Sequence, residues 1–364
     1  MTTPYLTIDL DKIEHNARTL TGLCGEYGIE VSGVTKVTCG NPDIARAMLR
    51  GGVTSIADSR LENIRRMRAA GVDANFMLLR IPALSDVANV VELADLSLNS
   101  ELPVLEALSA AATSKGKVHD VILMVDLGDL REGIWQDDLV MFVEQAIELP
   151  GIRIVGLGTN LACFGGVVPG VSNMNQLVSY ANEIQHHCGL VLEWISAINS
   201  SGLELIAAGK MPPRINHARI GEAILLGRET IHRKPWPDTY QDAFVLYAEI
   251  IELKNKPSLP VGDRGEDAFG HLPEFEDRGD RLRALLNVGR EDINLEGIAP
   301  LDPRLGILGA SSGYLVVDAT DAQDALKVGD ELAFTLNYSA LLAAMTSEYV
   351  KKKSLQSAAR KEEQ

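Results

Sequence analysis

The sequence predicts an α/β fold, with a (β/α)8 barrel of the TIM type over residues 1–233 and a mostly β domain over residues 234–350. Strand-like and helix-like segments alternate about eight times from residue 29 onward, which is typical of a parallel sheet covered by helices. No Gly-x-Gly-x-x-Gly sequence follows the first strand, which disfavours an open dinucleotide-binding sheet. Beyond residue 233 the alternation gives way to short β-like runs separated by turns.

The elements of the barrel follow from apolar periodicity and from capping and turn residues. A strand over residues 5–10 precedes a helix over residues 12–27 that Asp11 can cap, and residues 1–10 can instead join the second domain. The barrel strands are predicted at 29–35, 53–57, 74–79, 94–98, 118–125, 152–156, 192–197 and 214–216. The helices between and after them are predicted at 43–50, 58–70, 86–93, 101–114, 137–148, 173–188, 202–208 and 221–226.

The second domain is predicted from runs of apolar and β-branched residues. Its strands are predicted at 244–253, 283–288, 313–318 and 331–336, with one helix at 339–349. Residues 351–364 are charged, and we expect them to be a frayed tail.

Composition excludes several classes of partner. Lys plus Arg number 34 against 50 Asp plus Glu, so a net charge of -16 disfavours nucleic acid and anionic membranes. The four cysteines show no paired spacing, which suits reduced thiols better than disulfides or a metal site. No signal-like or bilayer-spanning apolar run is present, so we expect a cytoplasmic protein that binds neither metal nor membrane.

Lys36 lies at the carboxyl end of the first barrel strand, ahead of a Gly-Asn-Pro turn at residues 40–42. Barrel folds carry their chemistry on this rim, where an amine can attack a carbonyl group. The alternative is a surface lysine whose stem lies along the strand end while its ammonium stays in water. Position alone favours that alternative, because the chain contains 13 lysines.

Other polar residues follow neighbouring strands and therefore fall on the same rim. They are Arg131, Asn160, Ser200, Arg219, Gly221 and Glu222. An amine, guanidinium groups, a hydroxyl and the N–H groups of a helix start together suit a phosphate-bearing ligand. Taken singly, the arginines can be structural ion pairs, the serine a helix cap and the glycine a turn former. The set as a whole favours a functional site.

In order and spacing, these residues resemble the alanine racemase family of fold type III, within it the alanine/ornithine racemase branch. The resemblance covers nearly the whole chain. It rests on Lys36, residues 125–128 with Arg131, residues 199–200, residues 219–223 with 226–227, and residues 336–338. It implies pyridoxal 5'-phosphate as cofactor and a small-molecule amino acid as substrate.

The resemblance implies a role for each matching residue. Lys36 matches the lysine that forms a Schiff base with the cofactor aldehyde and then exchanges the α proton. Arg219 matches the arginine facing the pyridine nitrogen, and because guanidinium keeps its proton, transamination should be disfavoured. Arg131 matches the arginine near the substrate carboxylate. Around the phosphate, the matching groups are Ser200, the backbone of Gly221 and Glu222, and Tyr338.

The chain departs from the family pattern near the cofactor. Gly40 stands where alanine racemases have a tyrosine, so one hydroxyl near the phosphate is absent. Asn160 replaces a histidine near the cofactor ring, and an amide cannot stack as an imidazole does.

The second catalytic base is also affected. In the family it is a tyrosine of the partner subunit, and the best match here is Phe269. His271 is the nearest titratable replacement, and Ser312, near the substrate entrance, and Tyr314 are its rivals. The alternative for His271 is a plain surface residue.

The predicted function is a cytoplasmic, pyridoxal-phosphate-dependent amino-acid racemase that works with two bases as a homodimer with a shared active site. Ornithine or lysine is the favoured substrate, and a small amino acid such as alanine is also compatible. Acidic residues of the stretch 262–280 could meet a side-chain ammonium, although a solvated charge run explains them as well. The alternatives are a decarboxylase or D-amino-acid lyase on the same fold, a cofactor-binding protein without catalysis, and a Schiff-base aldolase.

Overall fold

The computed structural model describes residues 2–356. The chain forms two compact units, one over Leu10–Gln241 and the other combining the segment up to Asp9 with the residues from Asp242 onward. The predicted boundary after residue 233 lies eight residues before this observed one. Within the described residues, no helix is long and apolar enough to cross a bilayer.

The unit over Leu10–Gln241 is a closed barrel of eight parallel strands, as predicted. After β1 (Tyr5–Asp9), which belongs to the other unit, its strands are β2 (Glu30–Val34), β3 (Ser55–Asp58), β4 (Phe76–Leu78), β5 (Leu96–Asn99), β6 (His119–Met124), β7 (Ile152–Gly158), β8 (Trp194–Ile198) and β9 (His217–Ile220). Strand β9 pairs with β2 and closes the cylinder, with Arg219 opposite Ser32.

Helices cover the outside of this barrel. They are α1 (Leu10–Glu26), α2 (Pro42–Arg50), α3 (Leu61–Ala69), α4 (Val87–Leu93), α5 (Leu102–Ser114), α6 (Leu139–Ala146), α7 (Val171–Cys188), α8 (Leu203–Ala207) and α9 (Glu222–Leu226). The start of α2 illustrates how the sequence sets them. The side chain of Asn41 accepts hydrogen bonds from the N–H groups of Asp43 and Ile44, and Pro42 takes the first helical position.

The last barrel strand lies later in the chain than its prediction at 214–216. Residues 212–215 form a turn in which the N–H of Ile215 donates to the carbonyl of Pro212. Since the second proline of this turn has no N–H, a ladder cannot begin there, and β9 starts at His217. Arg219 therefore lies within the strand and not after it.

The barrel interior contains both apolar and polar layers. Apolar side chains such as Val34, Met77, Ile122 and Val155 form one buried cluster. Barrel interiors are usually filled by such residues, so a polar layer requires internal hydrogen bonds. The buried polar side chains of the barrel strands are Ser32, Ser55, Asp58, Ser97, Asn99, His119, Ser196, His217 and Arg219.

Two histidines of this layer are neutral. The Nε2 atom of His119 lies 2.8 Å from Oγ of Ser97, and burial lowers the pKa of this imidazole to about 4. His217 is fully buried against Trp194, and burial, with a smaller effect of the Arg219 charge, lowers its pKa to about 3. Neutral imidazole is therefore the form that the folded barrel contains near pH 7.

The second unit is built on an eight-stranded, mostly antiparallel sheet. Its remaining strands are β10 (Phe244–Pro257), β11 (Asp280–Leu286), β12 (Ile298–Pro300), β13 (Gly306–Ala310), β14 (Leu315–Asp318), β15 (Glu331–Leu336) and β16 (Lys351–Leu355), and its helix is α10 (Tyr338–Thr346). Strand β1 pairs antiparallel with β10 and parallel with β16. The prediction of a frayed tail from residue 351 is therefore wrong for β16, whose backbone is paired, and residues 357–364 of that tail lie outside the described residues.

The buried histidines predict how stability depends on pH. Their pKa values lie below the ordinary value of 6.5 in the folded chain, so acid protonates the unfolded state first and favours unfolding. Between pH 7 and pH 5, each should cost roughly 2 kcal/mol of unfolding free energy. Urea unfolding at several pH values measures the slope. The variants His119→Phe and His217→Phe should each show a shallower slope, and an unchanged slope in both would contradict the assignment.

Candidate active site

Lys36 opens a short 3-10 turn, Lys36–Thr38, directly beyond β2. The preceding residue, Thr35, is buried, and its hydroxyl donates a 2.8 Å hydrogen bond to Oδ2 of Asp58. Asp58 also accepts from the backbone of Arg60 and from the side chain of Asn63, while burial raises the pKa of its carboxyl. This cluster holds the turn from below. The side chain of Lys36 itself is exposed at the barrel mouth.

Gly40, two residues beyond this turn, is packed directly against helix α3. Its φ is +60°, and a Cβ atom there would lie 2.6 Å from Cβ of Asn63 and 2.9 Å from the Asn63 backbone. A backbone contact cannot move aside as a flexible side chain can, and the positive φ also disfavours other residues. With α3 this close, position 40 has no space for a tyrosine.

Arg219 is a buried cation, with 5% of the residue exposed. Its Nη1 donates to the carbonyl of Ser196 at 2.9 Å and to the Ser196 hydroxyl, and its Nη2 donates to the carbonyl of Thr159 at 2.6 Å. Within residues 2–356, no carboxylate forms an ion pair with it. Burial lowers its pKa to about 10, with Glu132 opposing the shift, so the guanidinium remains charged near pH 7.

Ser200 and Asn160 are connected through the loops that follow β7 and β8. The Ser200 hydroxyl accepts a hydrogen bond from the N–H of Ala223, which ties it to the start of α9. Asn199 donates to Oδ1 of Asn160 at 3.3 Å and to the carbonyl of Leu161 at 2.8 Å. Gly221 lies against β2, since a Cβ atom there would be 3.0 Å from Cβ of Val34. These contacts bring the predicted residues after β2, β7, β8 and β9 onto one rim.

Several buried polar atoms on this rim have no partner among the described residues. They are the hydroxyls of Thr159 and Ser201 and the side-chain amide nitrogen of Asn160. Buried polar groups without partners are rare, and at a functional site they indicate a ligand. Together with the buried charge of Arg219, they fit a polar, anionic cofactor at the mouth of the barrel.

Arg131 follows β6 and is exposed. Its guanidinium forms a two-point ion pair with Glu132, in which Nη2 lies 2.6 Å from Oε1. Buried Asp129 accepts hydrogen bonds from three N–H groups of the next rim loop, those of Cys163, Phe164 and Val167. These bonds join the loops after β6 and β7 at the barrel mouth.

Three further candidates, Tyr338, Ser312 and His271, belong to the second unit. Tyr338 begins α10, which the side chain of Asn337 caps. The Ser312 carbonyl accepts from the N–H of Glu291, and the Ser311 carbonyl accepts from Arg290.

His271 lies in a tight turn that the carboxylate of Asp267 organises by accepting from the N–H groups of Phe269 and His271. The His271 side chain is 68% exposed, and its Nδ1 lies 3.5 Å from Asp267. The guanidinium of Arg290 stacks on Phe269 at 4.9 Å, which connects this turn to the residues beside Ser311. Arg290 carries no signal in the sequence that singles it out.

The comparison with family models matches residues 8–229 to the alanine racemase N-terminal domain. The chain belongs to the alanine racemase family. It is 43% identical to an ornithine racemase of Acetoanaerobium sticklandii, over 97% of this chain and 99% of that protein. It is also 39% identical to a lysine racemase of Thermotoga maritima, over 97% and 98% of the two chains.

The same family accounts for the fold. The crystal structure of an alanine racemase from Streptomyces lavendulae superposes with a TM-score of 0.76, at 18% identity over 99% of both chains. The predicted resemblance, the barrel with its antiparallel second domain, and the prediction of an amino-acid racemase that uses pyridoxal phosphate are thereby confirmed. As a member of the alanine racemase family, the chain is an isomerase.

Sequence reasoning missed several residues at the site. Ser196, His217 and Thr159 surround Arg219 but carry no motif of their own. A usable signal exists for His217, because residues two apart in a strand point to the same face. Its partners on β8 and β2 become visible only in the closed barrel.

The packing at Gly40 predicts a specific loss of stability. Gly40→Ala adds a Cβ atom at a positive φ and against the backbone of Asn63, which should lower the unfolding free energy by about 3 kcal/mol. Gly28→Ala is the matched control, since Gly28 has a φ of +68° but nothing within 4 Å of the new atom. It should lose only about 1 kcal/mol. Equal losses in urea unfolding would show that α3 does not restrict position 40.

Proposed function

We propose that this racemase interconverts the enantiomers of ornithine and lysine, with Lys36 and Arg219 at its catalytic centre. The observation that carries the assignment of these two residues is their placement on paired strands. Strand β9 pairs with β2, so the buried guanidinium of Arg219 lies beside the strand that leads to the Lys36 amine. The two proposed cofactor contacts thus come from one side of the barrel.

Bound pyridoxal phosphate supplies an electron sink that acidifies the Cα–H bond of an amino acid. The Nζ atom of Lys36 is the group that holds the cofactor and that takes or returns the α proton on one face. The exposure of this side chain at the barrel mouth leaves it free to reach both. The hydrogen bond between Thr35 and Asp58 fixes the turn that carries Lys36, so the backbone beneath the amine is held in place.

Arg219 contributes through its charge and its retained proton. Its guanidinium, with a pKa of about 10, keeps its protons near pH 7, so it would donate a hydrogen bond to the ring nitrogen of bound pyridoxal phosphate without protonating it. The phosphate is proposed to contact Ser200, the backbone of Gly221 and Glu222, and Tyr338. Asn160, which carries an unpartnered amide nitrogen, is proposed to lie beside the ring.

Arg131 is the proposed partner of the substrate carboxylate. Its ion pair with Glu132 holds the guanidinium in one orientation, which reduces the entropy lost when a carboxylate binds. The substrate class follows from the nearly full-length similarity to the ornithine and lysine racemases. A role for the acidic stretch 262–280 is less favoured, because Asp267 is already engaged by its own turn.

The second base is proposed to come from the partner subunit of a homodimer, with His271, Ser312 or Tyr314 as its source. Large apolar side chains on the rim loops support such a dimer, since Leu130, Phe164 and Val168 are 64%, 73% and 54% exposed. We also infer a cytoplasmic enzyme, in keeping with the four free cysteines.

Catalysis by Lys36 is testable with a panel of enantiomers. The wild-type enzyme with pyridoxal phosphate should racemise ornithine or lysine faster than alanine, as measured by chiral chromatography. Lys36→Ala should lose at least a thousandfold in kcat, because the variant has no amine to move the α proton. Lys210→Ala, which removes an exposed lysine in the turn beyond α8, is the control and should retain full activity. Release of CO2 or an aldehyde without inversion would favour the decarboxylase or lyase alternatives.

The proposed dimer is testable by sedimentation. The wild-type chain of 39.4 kDa should sediment at twice that mass. Phe164→Asp should shift the equilibrium towards monomer, because it places a charge in an apolar contact. Val191→Asp is the control, since Val191 is 78% exposed and lies ahead of β8, at the opposite end of the barrel. A monomeric wild-type enzyme with full activity would eliminate the shared site.

A further inference from the structure

Residues 217 and 219 of β9 lie on the same face of the strand and point into the barrel. Both side chains are enclosed, since His217 is fully buried and Arg219 is 5% exposed. The imidazole of His217 stacks on Trp194, with the ring centres 4.8 Å apart and an angle of 6° between the planes. Its Nδ1 lies 2.7 Å from Oγ of Ser196, and its Nε2 lies 2.9 Å from Oγ of Ser32.

The hydrogen-bond partners assign the tautomer of this ring. The Ser196 hydroxyl accepts from Nη1 of Arg219, so its own proton needs another acceptor. Within the described residues, the acceptor available to it is Nδ1 of His217. The ring proton then resides on Nε2 and is donated to the hydroxyl of Ser32. The Ser32 oxygen in turn lies 2.6 Å from Oγ of Ser55. The hydroxyl proton of Ser196 and the ring proton of His217 therefore both point away from Arg219.

A protonated imidazole would break this order. Both ring nitrogens would then be donors, so the Ser196 hydroxyl would face two cations and its own proton would have no acceptor. Burial disfavours the charged ring for the same reason that it lowers the pKa of His217. The ring therefore acts as a fixed neutral acceptor for Ser196.

We propose that His217 is a positioning residue for Arg219: through the Ser196 hydroxyl, it holds the guanidinium in the orientation that meets the cofactor ring. This role rests on the proposed function of Arg219. No ion pair within the described residues fixes this arginine, so its orientation depends on neutral acceptors from Ser196 and Thr159. If the imidazole is lost, the Ser196 hydroxyl is free to turn its proton, and one acceptor of the guanidinium is no longer oriented.

The variant His217→Phe tests the proposal, because phenylalanine keeps the ring stacked on Trp194 but removes both nitrogens. The matched control is His119→Phe, which alters a second buried histidine of the same barrel. His119 is bonded to Ser97, which is in turn bonded to Asn99, and this chain of bonds does not reach Arg219. His217→Asn is the conservative variant, since its Oδ1 can occupy the place of Nδ1 and accept from Ser196.

For the enzyme with bound pyridoxal phosphate, we expect His217→Phe to lower kcat roughly tenfold or more. It should also change the absorption spectrum of the bound cofactor and raise the ratio of transamination to racemisation. His217→Asn should recover part of each effect, and His119→Phe should change neither the spectrum nor the ratio. Ser196→Ala should reproduce the effects of His217→Phe, and the double variant should add little to either. If His217→Phe and His119→Phe give the same spectrum and ratio, the positioning role is wrong.

A second measurement requires no catalysis. Nitrogen-15 NMR of histidine-labelled enzyme without cofactor should show two neutral rings that do not titrate between pH 6 and pH 9, those of His119 and His217. The ring that disappears in His217→Phe should be protonated at Nε2. In Ser196→Ala, the Nδ1 resonance of this ring should shift because its donor is gone. A His217 ring protonated at Nδ1, or one unaffected by Ser196→Ala, would overturn the proposed hydrogen bond from Ser196 to His217. If NMR shows this hydrogen bond but the wild-type enzyme racemises no amino acid, the proposed function is wrong while the hydrogen-bonded arrangement of His217 and Ser196 stands.

Discussion

The site depends on the placement of one positive charge, that of Arg219, inside a closed barrel, where no carboxylate of residues 2–356 forms an ion pair with it. Removing a cation from water is costly unless polar groups replace its hydration. In this chain, the replacement comes from two backbone carbonyls and one hydroxyl, and a histidine and two more serines continue behind that hydroxyl. The interior of the barrel is polar along β8, β9, β2 and β3 for this reason. A guanidinium held only by neutral dipoles keeps its charge and is available to a ligand at the mouth.

The backbone that carries Lys36, unlike Arg219, is held by an acidic side chain. There the turn beyond β2 is held by the buried carboxylate of Asp58, which binds Thr35 and Asn63. The same Asn63 presses its backbone against Gly40 and leaves no space for a larger residue. One buried acid therefore supports the turn and binds Asn63, whose backbone leaves no space for a larger side chain at position 40.

Much of the barrel could be predicted because its signals are local. Alternating apolar runs, the Asn-Pro start of α2 and the spacing of strand-end residues all act within a few neighbours of the chain. The errors have equally physical causes. A proline-containing turn over residues 212–215 precedes β9, so the strand begins at residue 217 and Arg219 lies inside it. The paired strand β16 looked like a charged tail because parallel pairing with β1, more than 340 residues away in the chain, leaves no local pattern.

The sequence by itself determined the alternation of strands and helices and the family, and it placed Lys36 and Arg219 close to the carboxyl ends of two barrel strands. These features follow from periodicity and from residues at strand ends, which are readable without knowing what they touch. Only the tertiary structure decided which groups solvate Arg219, which serines the His217 ring contacts and how closely α3 approaches Gly40. Those outcomes depend on closing β9 onto β2 and on the distance between elements far apart in the chain. Hydrogen bonds and steric contacts of that kind exist only after the barrel has closed.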